Sequence, residues 1–139
     1  MKNDIEIYIG IDPGVKTGVA IWDSYKKEFI AIETLMIHEA FDQVIYYHNH
    51  YNCKVIVEDA RLRKWFGVNS KQKMQGAGSV KRDCKAWEDF LKQKEVNHTM
   101  QHPIKGGTKL DKVQFKKLTG WSRQTSEHSR DASMLVYKR

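Results

Sequence analysis

The chain lacks several features that would decide its class at once. No apolar run in its 139 residues reaches membrane-spanning length. Met1-Lys2-Asn3-Asp4 leads into a β-branched strand instead of the apolar core of a signal peptide, so an intracellular, cytoplasmic protein is expected. There are two cysteines, Cys53 and Cys84. Their wide separation, with no Cys-x-x-Cys spacing, argues against a zinc knuckle and predicts reduced, half-buried thiols. No glycine belongs to a P-loop pattern, and nucleotide binding is not inferred. Acid is missing from one stretch in particular. Between Asp59 and Asp83 stand Arg61, Arg63, Lys64, Lys71, Lys73, Lys81 and Arg82, with no acidic residue among them.

What is present fits one globular domain spanning residues 1–139. Hydrophobic residues make up 40% of the chain, too many for a disordered one. Lys and Arg number 24 against 17 Asp and Glu, giving a net charge of +7, and this balance favours a polyanionic partner. The acid-free stretch carries an excess equal to that whole charge. A charge run is ordinarily a solvated loop, but Trp65 and Phe66 are set among these cations, and aromatic residues interleaved with basic ones suit nucleic acid.

The first strand is Ile5-Glu6-Ile7-Tyr8-Ile9-Gly10-Ile11-Asp12. Ile5, Ile7, Ile9 and Ile11 share one face, which puts Asp12 on the other with Tyr8 and Gly10. Asp12-Pro13-Gly14 reads equally as a turn, because Pro fixes φ and Gly accepts positive φ. Thr17 to Trp22 and Glu28 to Leu35 follow as strands, joined by a polar hairpin connection from Asp23 to Lys27. The three predict an antiparallel meander. Ile37, Phe41, Val44, Ile45 and Tyr51 then repeat at helical spacing over Ile37 to Tyr51. On that helix His48 and His50 diverge by about 200° and do not form a ligand pair.

Lys54 to Glu58 is a short apolar strand of the kind buried parallel to another after a helical crossover. That arrangement would bring Glu58 and Asp12 to the carboxyl ends of adjacent parallel strands, where open α/β sheets carry their sites. Ala60 to Gly78 has no clean period and predicts a functional loop. Ser79 is the expected N-cap of a helix that carries Val80, Cys84, Trp87 and Leu91 and runs to about Glu95. A strand from Asn97 to His102 ends at Pro103, and Lys105 to Lys109 is a flexible basic turn. Asp111 is expected to cap a helix through Leu118, closed by Thr119-Gly120. The last helix runs from about Ser126 to Tyr137. On it Asp131 shares a face with Glu127 or His128, and Ala132 and Leu135 would seat it on the sheet. Asp131 could equally be an acid placed to favour the helix dipole.

Three carboxylates in this order, Asp12, Glu58 and Asp131, would repel one another unless a hard cation sat between them. Mg²⁺ suits such a set and a phosphate substrate. Two ions about 3.5–4 Å apart could activate water and stabilise the leaving oxygen of an in-line displacement.

The order Ile-Gly-Ile-Asp-Pro-Gly, then Val-Ile-Val-Glu, a glycine-led helix, and His128-Ser129-Arg130-Asp131-Ala132 resembles the RuvC-type Holliday-junction resolvases of the RNase H-like superfamily. The resemblance covers most of the chain. It implies an α/β fold, a mixed five-stranded sheet with helices on both faces. It also implies a catalytic and metal-binding set of Asp12, Glu58, His128 and Asp131, with Mg²⁺, or Mn²⁺ in its place, as cofactor. By the same likeness the protein would be a homodimer that nicks four-way DNA junctions symmetrically. The helix after Gly78 would help form the dimer interface, and Trp65 or Phe66 would wedge into the junction centre. Lys105, Lys109 and Lys112 fall where the family carries phosphate-contacting lysines, and spacing does not choose among them. The chain is shorter than the usual bacterial resolvase, as in a phage or mobile-element form, and its loop after Glu58 is more basic. Glu127 competes with His128 for the fourth position. Two other readings stay open: a nuclease for RNA–DNA hybrids or flaps, and a catalytically silent nucleic-acid-binding module.

Overall fold

In a computed structural model of the chain, residues 4–62, 78–103 and 109–139 are described. Three strands come first, β1 (Ile7–Asp12), β2 (Lys16–Asp23) and β3 (Glu28–Met36). Helix α1 (Ile37–His50) leads to β4 (Cys53–Glu58) and a single 3-10 turn (Ala60–Leu62). After it come α2 (Gly78–Gln93), β5 (His98–Gln101), α3 (Lys112–Thr119) and α4 (Glu127–Val136). The sheet has five strands in the order β3-β2-β1-β4-β5. β1, β2 and β3 pair antiparallel, while β4 joins β1, and β5 joins β4, in parallel. This is the expected mixed α/β sheet, consistent with an RNase H-like arrangement.

The alternation read in the first strand sorts its side chains into two cores. Ile7, Ile9 and Ile11 join Val19, Ile21, Val55 and Val57 on one face, covered by Ala40 and Val44 of α1 and by Trp87 and Leu91 of α2. The opposite face holds Ala20, Trp22, Ile32 and Ile56 under Phe115 of α3 and Ala132, Leu135 and Val136 of α4. Helices on both faces explain why β2 is buried without a break from Thr17 to Trp22. At about 25 cal/mol per Å² of apolar surface, each fully buried large side chain stabilises the fold by about 2–3 kcal/mol.

The caps follow local rules. Asp111 accepts from the Gln114 N–H at 2.8 Å, and α3 ends at Gly120 with φ 78°, a left-handed geometry that glycine adopts without strain. Tyr51 lies just beyond α1 as its C-cap, and His50 Nδ1–H donates to the Tyr46 carbonyl at 2.8 Å. Two expectations are corrected. Ser79 lies inside α2, which already includes Gly78, instead of capping it. Cys53 and Cys84 are free but fully buried, not half-buried, because both faces of the sheet are covered; burial pushes each thiol up to about 11. Among the described residues, no helix is long and apolar enough to cross a membrane.

Candidate active site

Asp12 is the last residue of β1 and pairs with Gly18 of β2. On its other side β1 runs parallel to β4 with Ile11 opposite Val57, so the next step along both strands brings Asp12 and Glu58 to the same sheet end. Helix α4 crosses this end because two strand glycines let it come close. A Cβ at Gly10 would stand 2.1 Å from the Ala132 carbonyl oxygen, and one at Gly18 would stand 2.1 Å from that of His128. These two carbonyls are one helical turn apart, so the glycines fix the helix on the sheet at two points. Ser126 caps the helix, its Oγ accepting from the Ser129 N–H at 3.0 Å while the Ser126 N–H donates to Ser129 Oγ at 2.9 Å. A hydroxyl hydrogen bond between Thr34 and Ser126 ties the same turn to β3.

This seating brings His128 to Asp12. Its Nδ1 stands 3.0 Å from Asp12 Oδ2, and since an ionised carboxylate only accepts, the ring nitrogen donates. Asp12 is 9% exposed. Burial pushes its carboxyl above the ordinary range; the His128 hydrogen bond opposes the shift, and the Asp131 charge adds to it. Asp131 is also on the inner side of α4, and its Oδ2 is met by Lys109 Nζ at 3.1 Å. Burial pulls the Lys109 ammonium down, but the Asp131 hydrogen bond, with the charges of Asp131, Glu127 and Asp12, outweighs it and holds the group above its ordinary value.

The structure therefore separates the two neighbours that the sequence left competing. His128 reaches Asp12, whereas among the described residues Glu127 reaches Lys109, at 3.9 Å and with its side chain 58% exposed. Asp12, His128 and Asp131 form one cluster, and Glu58 shares their end of the sheet. The donor chemistry fits a hard divalent cation: three carboxylates and an imidazole, with one carboxylate destabilised by burial and by a like charge. The cluster is open, however, and among the described residues no three His, Cys, Asp or Glu side chains converge closely enough to hold a metal ion.

The expected nucleic-acid contacts divide. Arg63, Lys64, Trp65, Phe66, Lys71, Lys73 and Lys105 lie outside the described residues. Lys81 and Arg82 are in the first turns of α2, and the apolar face of that helix, with Cys84, Trp87 and Leu91, is buried against its own sheet. Lys112 is exposed beside a cavity of about 450 Å³ that Thr34, Ser126, Glu127 and Arg130 also line. Arg61 is engaged within the protein. Its Nε and Nη2 donate to the two oxygens of Asp59 at 2.9 and 2.7 Å, and Nη2 also donates to Glu88 Oε1 of α2 at 3.0 Å. The chain leaving β4 after Glu58 is thus clamped to α2.

Asp59 is 2% exposed. Burial raises its carboxyl, but the hydrogen bonds and charge of Arg61 outweigh burial and hold it below the ordinary range. A carboxyl lowered in the folded state adds stability above its unfolded value near 3.8 and loses it as pH falls through the folded value. Arg61→Met is expected to cost about 3 kcal/mol, the low end for breaking a buried pair because a quarter of Arg61 meets solvent. Denaturant melts at pH 7 and pH 3 check it: the gap between variant and wild type should shrink at pH 3, and an equal gap at both would deny Asp59 this role.

Three features escaped the sequence reading: the Lys109–Asp131 pair, the Asp59–Arg61–Glu88 clamp, and the contacts at Gly10 and Gly18. Only the glycines left a signal, since glycine inside a strand often marks close backbone approach. No family model matches the chain, and no curated protein is significantly similar to it.

Proposed function

We propose that this protein is a divalent-metal-dependent endonuclease of the RuvC type that hydrolyses phosphodiesters of branched DNA and resolves four-way junctions by paired nicks as a homodimer. The observation that carries the reading is the convergence of a buried strand-end carboxylate, Asp12, with His128 and Asp131 of α4 at the end where the parallel strands β1 and β4 finish. The net charge of +7 and the acid-free basic stretch support a polyanionic substrate.

Asp12, Glu58 and Asp131 supply the carboxylates and would have to close further to hold the cation, whose chemistry when bound is to polarise the phosphodiester and the attacking water. The protein's own part is orientation and proton transfer. Asp12 accepts from Nδ1 of His128, which fixes the ring and leaves Nε2 as the nitrogen able to take a proton from water. His128 is half exposed, so water can approach it.

Incubation with a synthetic four-way junction and Mg²⁺, read on a denaturing gel, tests the proposal. Symmetric paired nicks are expected. An intact junction that is nevertheless bound would sink the nuclease reading in favour of a binding module. Cleavage confined to hybrids or flaps would sink the junction assignment alone.

A further inference from the structure

The ion pair at Asp131 is uneven. Lys109 keeps its side chain 63% exposed, whereas that of Asp131 is 15% exposed. The acid is fixed by the packing of α4, while the lysine reaches it from solvent on a long flexible stem. Around that point Asp12, Glu127 and Asp131 all act on the Lys109 ammonium. An acidic cluster of this kind repels itself when no cation is bound, and a single ammonium relieves part of that repulsion.

We propose that Lys109 is a placeholder cation: its ammonium occupies Asp131 while no metal is bound and must withdraw for a divalent ion to take that carboxylate. This rests on the metal-dependent reading above and names how the site is regulated. An ion on Asp131 Oδ2 would meet the ammonium that stands 3.1 Å from that oxygen, and two positive charges so close repel. The exposed lysine can leave, whereas the packed acid cannot. Lys109 therefore lowers metal affinity below what the acids alone would give. Its withdrawal costs one hydrogen bond, which water replaces.

The sign of a mutational effect tests this. Lys109→Met keeps the stem and removes the charge. Mn²⁺ titrated into the full chain by calorimetry should bind the variant about tenfold more tightly than wild type. In chelator the variant should melt below wild type, and saturating Mn²⁺ should close or reverse that gap, because a ligand that binds the folded state more tightly stabilises it more. Lys109→Arg, which keeps the charge and can grip a carboxylate with two donors, should bind Mn²⁺ no more tightly than wild type. Unchanged or weaker Mn²⁺ binding by Lys109→Met overturns the placeholder role and leaves the metal site standing. If neither wild type nor Lys109→Met binds Mn²⁺, the metal-dependent reading itself fails, and this inference falls with it.

Discussion

Asp12→Asn is expected to lower junction cleavage about a thousandfold or more while DNA binding stays within a few-fold, and to leave the chelated protein at least as stable as wild type. Losing one electrostatic group aimed at developing charge commonly costs about a hundred- to a thousandfold, and the metal ligand proposed here should lie at the upper end. Binding survives because lysines and arginines supply most of the affinity for a phosphate backbone. The stability term follows from burial. Burial raises the Asp12 carboxyl, so its ionised form opposes folding, and a folded-state value above the unfolded one means that this penalty shrinks as pH falls. Asparagine fills the same space, can still accept from His128 Nδ1, and removes the charge. Single-turnover cleavage, a gel-shift titration and thermal melts in chelator measure the three parts. A variant that cuts at the wild-type rate would remove Asp12 from the reaction. A variant that melts well below wild type would instead make Asp12 a structural residue. Stability sacrificed at a site that needs a buried charge is the expected pattern for function.

Gly18→Ala should damage the fold and the site together. The added methyl would stand 2.1 Å from the His128 carbonyl oxygen and 2.4 Å from its carbon, both backbone atoms that cannot rotate away. Overpacking usually costs about 1–3 kcal/mol, and backbone against backbone belongs at or above the top of that range. For a chain of this size, that is a fall of about 10 °C in melting temperature. Relief must come from lifting the first turn of α4 off β2, which carries His128 away from Asp12, so cleavage should fall even in the fraction that stays folded. Gly78→Ala is the control. Among the described residues nothing lies within 4 Å of a Cβ there, and alanine at the first position of a helix should be neutral or slightly stabilising. A Gly18→Ala protein that melts with wild type would show that α4 does not rest on β2 as described.

Those two positions also show where reading the sequence succeeds and where it stops. Asp12 stood out because it ends a strand whose isoleucines alternate, and the same alternation assigned its face. The β4 strand was legible as an apolar run ending in Glu58, and α3 through an aspartate at one end and a glycine at the other. Gly18, by contrast, was one more residue in a predicted strand. Its importance comes from what lies above it, a helix more than a hundred positions later in the chain. Arg61 illustrates the same limit from the other side. Counted with its basic neighbours it looked like a contact for DNA, yet in the fold its guanidinium serves Asp59 and Glu88.

The sequence by itself determined the strands and helices, the face that each presents to a core, and the three acids that end up at one end of the sheet. These are local matters of period, capping and burial, and they depend on near neighbours in the chain. Only the tertiary structure decided that His128 and not Glu127 meets Asp12, that Lys109 covers Asp131, and that Arg61 is spent on a clamp. Periodicity gives the side of a helix that packs, but not its rotation or height over the strand ends. Those are set by close packing, here by two glycines that admit the helix backbone, and a shift of one residue along the helix would have put a different side chain against Asp12.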